Sequence, residues 1–174
     1  MTFKSLIVIG LASISLLNGC ASTMQASAIT IATASAPAAA ASASSPDGLV
    51  TLVSPRSAKE TMDRLEASVK EKGFAVVARV DHAAAAVRVG KTLRPTELLI
   101  FGNPAGGTLL MECQQTAGID LPLKALVWSD TAGKVMLSYN DPTYITKRHN
   151  APSCPAAAGM SNAIGGIMRA VVAP

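Results

Sequence analysis

The chain has 174 residues, 49% hydrophobic, 15% charged and 3% aromatic, with a formal net charge of +4. That length holds one compact domain with short appendages. Its basic residues are scattered singly (Arg79, Arg88, Lys91, Arg94), and Trp128, Tyr139, Tyr144 and three Phe are the only aromatics, so the chain lacks both the basic stripe and the stacking platform of a nucleic-acid binder.

Lys4 is followed by thirteen uncharged, mostly apolar residues, Ser5 to Leu17. A membrane-spanning helix needs about 20, so the run suits the apolar region of an export signal. Leu17, Asn18, Gly19 and Cys20 then resemble a lipobox, with Asn18 unusual at its position. Residues 1–19 are expected to be a lipoprotein signal peptide and Cys20 the lipidated residue, anchoring the chain in the membrane through its acyl groups. Ala21 lacks the aspartate associated with inner-membrane retention, which points to the periplasmic face of the outer membrane. The alternative is cleavage at Ala26–Ala28, which would release a soluble periplasmic protein. Without Lys4, the net charge falls to +3.

Residues 20–46 are mainly alanine, serine and threonine, with no charged side chain and no amphipathic pattern. They read as a flexible tether, the alternative being an ordered helix packed on the domain. Residues 47–174 form the domain.

Within it, GLVTLVS reads as a strand, and Ser57 with Glu60 forms a capping-box pattern. Ala58, Met62, Leu65 and Val69 then give one apolar helical stripe, and Gly73 a stop. Strands are expected at Phe74–Asp81, Glu97–Asn103, Leu121–Trp128 and Lys134–Asn140, the last two joined by the polar SDTAG as a hairpin. A short helix, TLLMECQQT, should turn Leu109, Leu110 and Cys113 toward the core. Asp141 and Pro142 open another helix, and Met160, Ile164, Ile167, Met168 and Val171 share one face of a last one. Gly165 and Gly166 inside it imply a close approach, a kink or an early end. The expected fold is α+β, a two-layer domain with a mostly antiparallel sheet of about five strands covered by helices.

The blocks GFAVVARVDHAAAA, LRPTELLIFGNPAGGTLLM, GIDLPLKALVW and GKVMLSYNDPTYITKRH resemble, in order and spacing, the DUF302 family. Asp81–His82, Gly102–Asn103–Pro104, Leu121–Pro122, Tyr139 and Asp141–Pro142 carry most of the likeness. It implies a compact α+β domain that can form homodimers, and no general biochemical role. Cys113 and Cys154 are outside the family pattern, so nothing catalytic carries over.

Gly102 and Gly107 have the spacing of a phosphate-binding loop, but Thr108 stands where that loop needs lysine and Pro104 removes a backbone donor. The stretch therefore reads as a corner from strand into helix. With Cys20 lipidated, Cys113 and Cys154 remain as an even pair. They either form a structural disulfide or are buried separately; a catalytic thiol finds no C-x-x-C motif to support it. Asp81 either caps a helix with His82 in its first turn or joins His82, Glu97, Asn103 and Tyr139 around a small ligand pocket. His149, beside Lys147 and Arg148, suits a helix C-terminus. No histidine or cysteine pair has zinc spacing, and no nucleophile motif or carboxylate pair is defined, so neither metal nor cofactor is expected. The sequence points to an envelope lipoprotein whose domain binds a small ligand or an envelope protein without catalysis. The alternatives are an envelope enzyme or redox protein using His82 or Cys113, and a dimeric scaffold.

Overall fold

A computed structural model describes residues 43–174. The expected signal peptide, Cys20 and most of the expected tether lie outside the described residues. Two-residue strand β1 (Ala43–Ser44) and β2 (Leu49–Ser54) lead to α1 (Ala58–Glu71), β3 (Ala75–Asp81) and α2 (His82–Arg88). Then come β4 (Thr96–Gly102), α3 (Pro104–Cys113), a 3-10 helix (Gln115–Asp120), β5 (Leu123–Ser129), β6 (Val135–Asn140), α4 (Pro142–Arg148) and α5 (Pro155–Val172). The strands form one antiparallel sheet in the order β1-β2-β6-β5-β4-β3. This is the expected α+β architecture, with β1 an added strand at one edge.

Strand alternation decides the layers. Val50 and Leu52 of β2, Leu99 and Phe101 of β4, Val127 of β5 and Leu137 of β6 point to one face and are buried. Met62, Leu65 and Val69 of α1, with Ile164, Met168 and Val171 of α5, close over them in a single core. Their register neighbours Leu98, Ile100, Leu126, Trp128 and Met136 point the other way and remain half-buried. On that face the Trp128 indole N–H donates to Ser138 Oγ at 2.9 Å, and Ser138 shares a hydrogen bond with Thr51 Oγ1 at 2.8 Å.

Helix ends are set by local chemistry. Ser57 Oγ accepts from the Glu60 amide, Asp81 Oδ1 from Ala84, Asn103 Oδ1 from Ala105 and Asp141 Oδ1 from Thr143. At the other end of α5, the carbonyls left without intrahelical donors receive arginines from the α1 region: Arg56 Nη1 reaches Ala173 O at 2.5 Å, and Arg64 Nε reaches Val171 O at 3.3 Å. α5 runs unbroken past both glycines. The close approach is to side chains: a Cβ at Gly165 would lie 3.1 Å from Arg169 Nη1 and 3.3 Å from the Tyr139 hydroxyl, whereas Gly166 faces open space.

Two differences from the sequence expectation have local causes. α3 starts at Pro104, four residues earlier than Thr108, because the Asn103 cap and proline at the first helical position favour helix at once. Rotated accordingly, only Leu110 of its three expected core residues is buried; Leu109 is half-exposed and Cys113 is exposed. Likewise, the sheet begins at Ala43, inside the stretch read as tether, because Ser45–Gly48 makes a tight turn closed by Gly48 N–H to Ser45 O at 2.9 Å.

Gly48 has φ +77° and accepts from the Asp141 amide at 3.0 Å, and a Cβ there would overlap the Tyr144 ring. Gly133, in the β5–β6 hairpin, has φ +79° with no atom within 4 Å of such a Cβ. Gly48→Ala should therefore cost roughly 3 kcal/mol or more, from overpacking added to backbone strain. Gly133→Ala should cost about 1–2 kcal/mol from the backbone alone. Urea unfolding of the two variants checks this, and equal costs would refute the steric account.

Candidate functional site: an apolar cleft at the end of the sheet

The five candidate pocket residues do not converge. Asp81 pairs in register with Glu97, while Ala75 pairs with Gly102. Asp81 and Glu97 thus lie at one end of the β3–β4 pair and Asn103 just past the other, about 20 Å away at the rise of a β-strand. Asp81 is committed as the α2 cap, and His82 is exposed in the first turn, with no side-chain hydrogen bond among the described residues. The pocket reading of Asp81 and His82 therefore gives way to the capping one. Tyr139 sits two strands from β4, buried against α5; burial raises its phenol pKa, the Asp141 carboxylate adds to the rise, and Arg169 opposes it.

Glu97 belongs to an ion-pair cluster centred on Arg79. Arg79 Nε binds Glu97 Oε1, its Nη2 reaches Glu97 Oε2 at 3.1 Å, and its Nη1 meets Asp63 Oδ1 at 2.8 Å and Glu66 Oε2 at 3.2 Å. Hydrogen bonds from Lys59 and Arg79 hold Asp63 below the usual carboxylate range, and those from Lys70 and Arg79 do the same for Glu66. Every carboxylate in this group is neutralised by a cation, so it ties α1 to the sheet and offers no free acid or base.

Asn103 alone among the candidates opens onto a cavity. Where β4 ends, α3 folds back over the ends of β3 and β5 and meets the start of α5, leaving a cleft of about 740 Å³. Phe74 and Val77 form the sheet side, Leu109 and Met111 the α3 side, and Leu121 and Met160 much of the remainder. Phe74 packs edge-on against the buried Phe101, ring centroids 5.6 Å apart, which joins the cleft floor to the core. The Leu121–Pro122 peptide beside it is cis. Glycines from separate segments line it: Gly102, Gly106 and Gly107 around the α3 start, Gly118 in the 3-10 helix, and Gly159 in α5. A Cβ on Gly106 would lie 3.0 Å from Met160 Cε, and one on Gly118 3.2 Å from Met111 Sδ, so the missing side chains are part of what keeps the space open. Among the described residues, no Asp, Glu, His, Lys, Arg, Cys or Tyr lines the cleft.

Two ties hold its walls. Cys113, at the end of α3, and Cys154, capping α5, form a disulfide with Cα atoms 5.7 Å apart. Nearby, His149 Nε2 lies 2.8 Å from Asp120 Oδ2 and its Nδ1 lies 3.0 Å from Thr116 Oγ1, while Arg148 Nη1 reaches Asp120 Oδ1 at 2.9 Å. His149 does cap α4, as its position suggests, but its ring also pins the 3-10 helix to that cap. Sequence reasoning missed both this clasp and the cleft. Recurrence of glycine in GNPAGG, Gly118 and Gly159 was the available signal, and it becomes a pattern only when folding brings the three segments together.

The architecture so assembled is a small two-layer α+β domain with an uncharged cleft at one end of its sheet. The family profile described as "Domain of unknown function DUF302" matches residues 50–171, and the chain belongs to that family. It is 50% identical over 103 residues to the Fluoride-specific ion channel FluC 1 of Brucella suis biovar 1 (strain 1330), covering 59% of this chain and 41% of that protein. A Fluoride-specific ion channel FluC 1 of Brucella abortus biovar 1 (strain 9-941) matches at the same identity over 38% of its length. The chain thus spans about two-fifths of the length of these curated relatives. The crystal structure of an uncharacterized conserved protein DUF302 from Bacillus stearothermophilus superposes with a TM-score of 0.66 over 72% of this chain and 98% of that one, at 22% identity, a likeness of fold.

The disulfide closes a loop with a sequence separation of 41 residues. Replacing both Cys113 and Cys154 by serine should lower stability by about 4 kcal/mol in the chain-entropy model. Urea unfolding of this variant, set beside the parent chain with and without reductant, measures the loss, and an unchanged midpoint would contradict it.

Proposed function

We propose that the domain is a non-catalytic binding module for a small apolar molecule, carried on a lipid-anchored protein of the cell envelope. The single observation behind the binding role is the cleft: about 740 Å³, within the usual range of small-molecule sites, and bounded by apolar side chains and glycine. General acid–base or nucleophilic catalysis needs a titratable or nucleophilic group within reach of the reacting atom. Among the described residues the lining supplies one hydroxyl, that of Thr108, with no titratable side chain beside it to act as its base, and Cys113 is tied up in its disulfide.

Envelope placement is supported by the export-type N-terminus with Cys20 and by the disulfide, a bond that persists in oxidising compartments. Conduction, which the Brucella relatives' name describes, is not part of the proposal. No helix among the described residues is long and apolar enough to cross a membrane, and more than half of each relative lies outside the match.

Gly106 lines the cleft from α3 and Gly159 from α5. A leucine at either should fill it with little cost to folding, because both positions are helical and a Cβ meets at most the flexible tip of Met160. N-phenylnaphthylamine, an uncharged dye, should brighten on binding the full chain, and Gly106→Leu and Gly159→Leu should each weaken that binding tenfold or more without lowering the urea midpoint. Dye binding that both variants retain would place it outside the cleft and refute the reading. Anchoring has its own test: Cys20→Ala should move the protein from the membrane fraction to the soluble one, with the loss of acyl mass.

A further inference from the structure

We propose that the ligand of this cleft is a fatty acid, its alkyl chain inside and its carboxylate at the ammonium of Lys124 on the lip. The inference rests on the binding reading above and adds the chemical class. Inside the cleft, the polar side chains are those of Asn103 and Thr108. Asn103 is half engaged, its Oδ1 accepting from the Ala105 amide at 2.9 Å and its Nδ2 donating toward Gly73 O at 3.4 Å, so with the Thr108 hydroxyl the lining offers only a few polar positions. A sugar, nucleotide or amino acid placed there would lose its hydrogen bonds to water and recover few, an unfavourable exchange. An alkyl chain has none to lose. Met111 and Met160, with three rotatable bonds each, adapt to a flexible chain, and the exposed Leu109 and Val77 carry apolar contact out to the mouth.

The head-group assignment comes from charge. Lys124 Nζ is fixed by two carbonyls, Asp120 O at 3.0 Å and Pro122 O at 2.9 Å, and Pro122 lines the cleft. Both acceptors are neutral, and an ammonium has three donors. The neighbouring Asp120 carboxylate is directed instead to Arg148 and His149. Lys124 is not itself a lining residue, but its ammonium lies against the carbonyl of one, Pro122, with no carboxylate paired to it among the described residues. With no acid in the lining, a single-chain carboxylate complements both parts of the site.

Displacement of N-phenylnaphthylamine from the full chain at neutral pH tests the proposal. Dodecanoate should displace the dye at about tenfold lower concentration than dodecanol, the step expected of one charge-assisted contact. Lys124→Gln should bring dodecanoate to the dodecanol value, and Gly106→Leu should abolish displacement along with dye binding. Dye bound in the cleft but unmoved by dodecanoate would overturn the fatty-acid assignment and leave the binding module standing. Equal potency of dodecanoate and dodecanol would overturn the role of Lys124. Displacement by phosphatidylglycerol vesicles and not by dodecanoate would assign the site to a membrane phospholipid, against the proposal. Failure of the dye to bind at all would remove the binding module itself.

Discussion

One buried face holds this domain together. The sheet presents Leu52, Leu99, Phe101, Val127 and Leu137 to a single side, and only α1 and α5 supply enough continuous apolar surface to cover it. Those two helices lie against each other over the sheet, and the α5 carbonyl end is secured by Arg56 and Arg64. Their placement leaves the ends of β3, β4 and β5 to be covered by α3. That helix is short, with glycine at two of its first four positions, and buries only Leu110, so it roofs the sheet end without filling it. The cleft is the space this arrangement leaves between a well-packed core and a poorly packed corner.

Much of this was legible in the sequence where a residue's job is local. Ser57 and Asp141 read as helix caps because a short polar side chain before an apolar run or a proline has few other uses, and each one is a cap. The α1 and α5 stripes read correctly because their period is fixed by helix geometry whatever they pack against. The site was illegible for the opposite reason. Asp81, Glu97 and Asn103 seem to converge when strand ends are counted without register, but the antiparallel pairing sends them to opposite ends of the sheet. Leu109 looked like a core residue because apolarity alone does not say whether a side chain meets protein or an open cleft.

Apolar space of this size needs a reason to stay open. Atoms lining a void forgo dispersion contacts, so unconstrained walls tend to close over it. Here the walls are not free to do so. The Cys113–Cys154 disulfide fixes the end of α3 against the start of α5, and the His149–Asp120–Thr116 hydrogen bonds fix the 3-10 helix to α4. Closing the cleft would require α3 to rotate about a covalent tie at one end and a capped, proline-started turn at the other. The glycines lower the walls while the ties hold them apart, a division of labour that a purely structural corner would not require. In a corner serving only stability, leucine or isoleucine at Gly106 or Gly159 would fill the space and strengthen the helix at once. Their absence, in a chain whose other packing is tight enough to leave twelve large side chains fully buried, is the physical argument behind the proposal that a ligand enters the cleft.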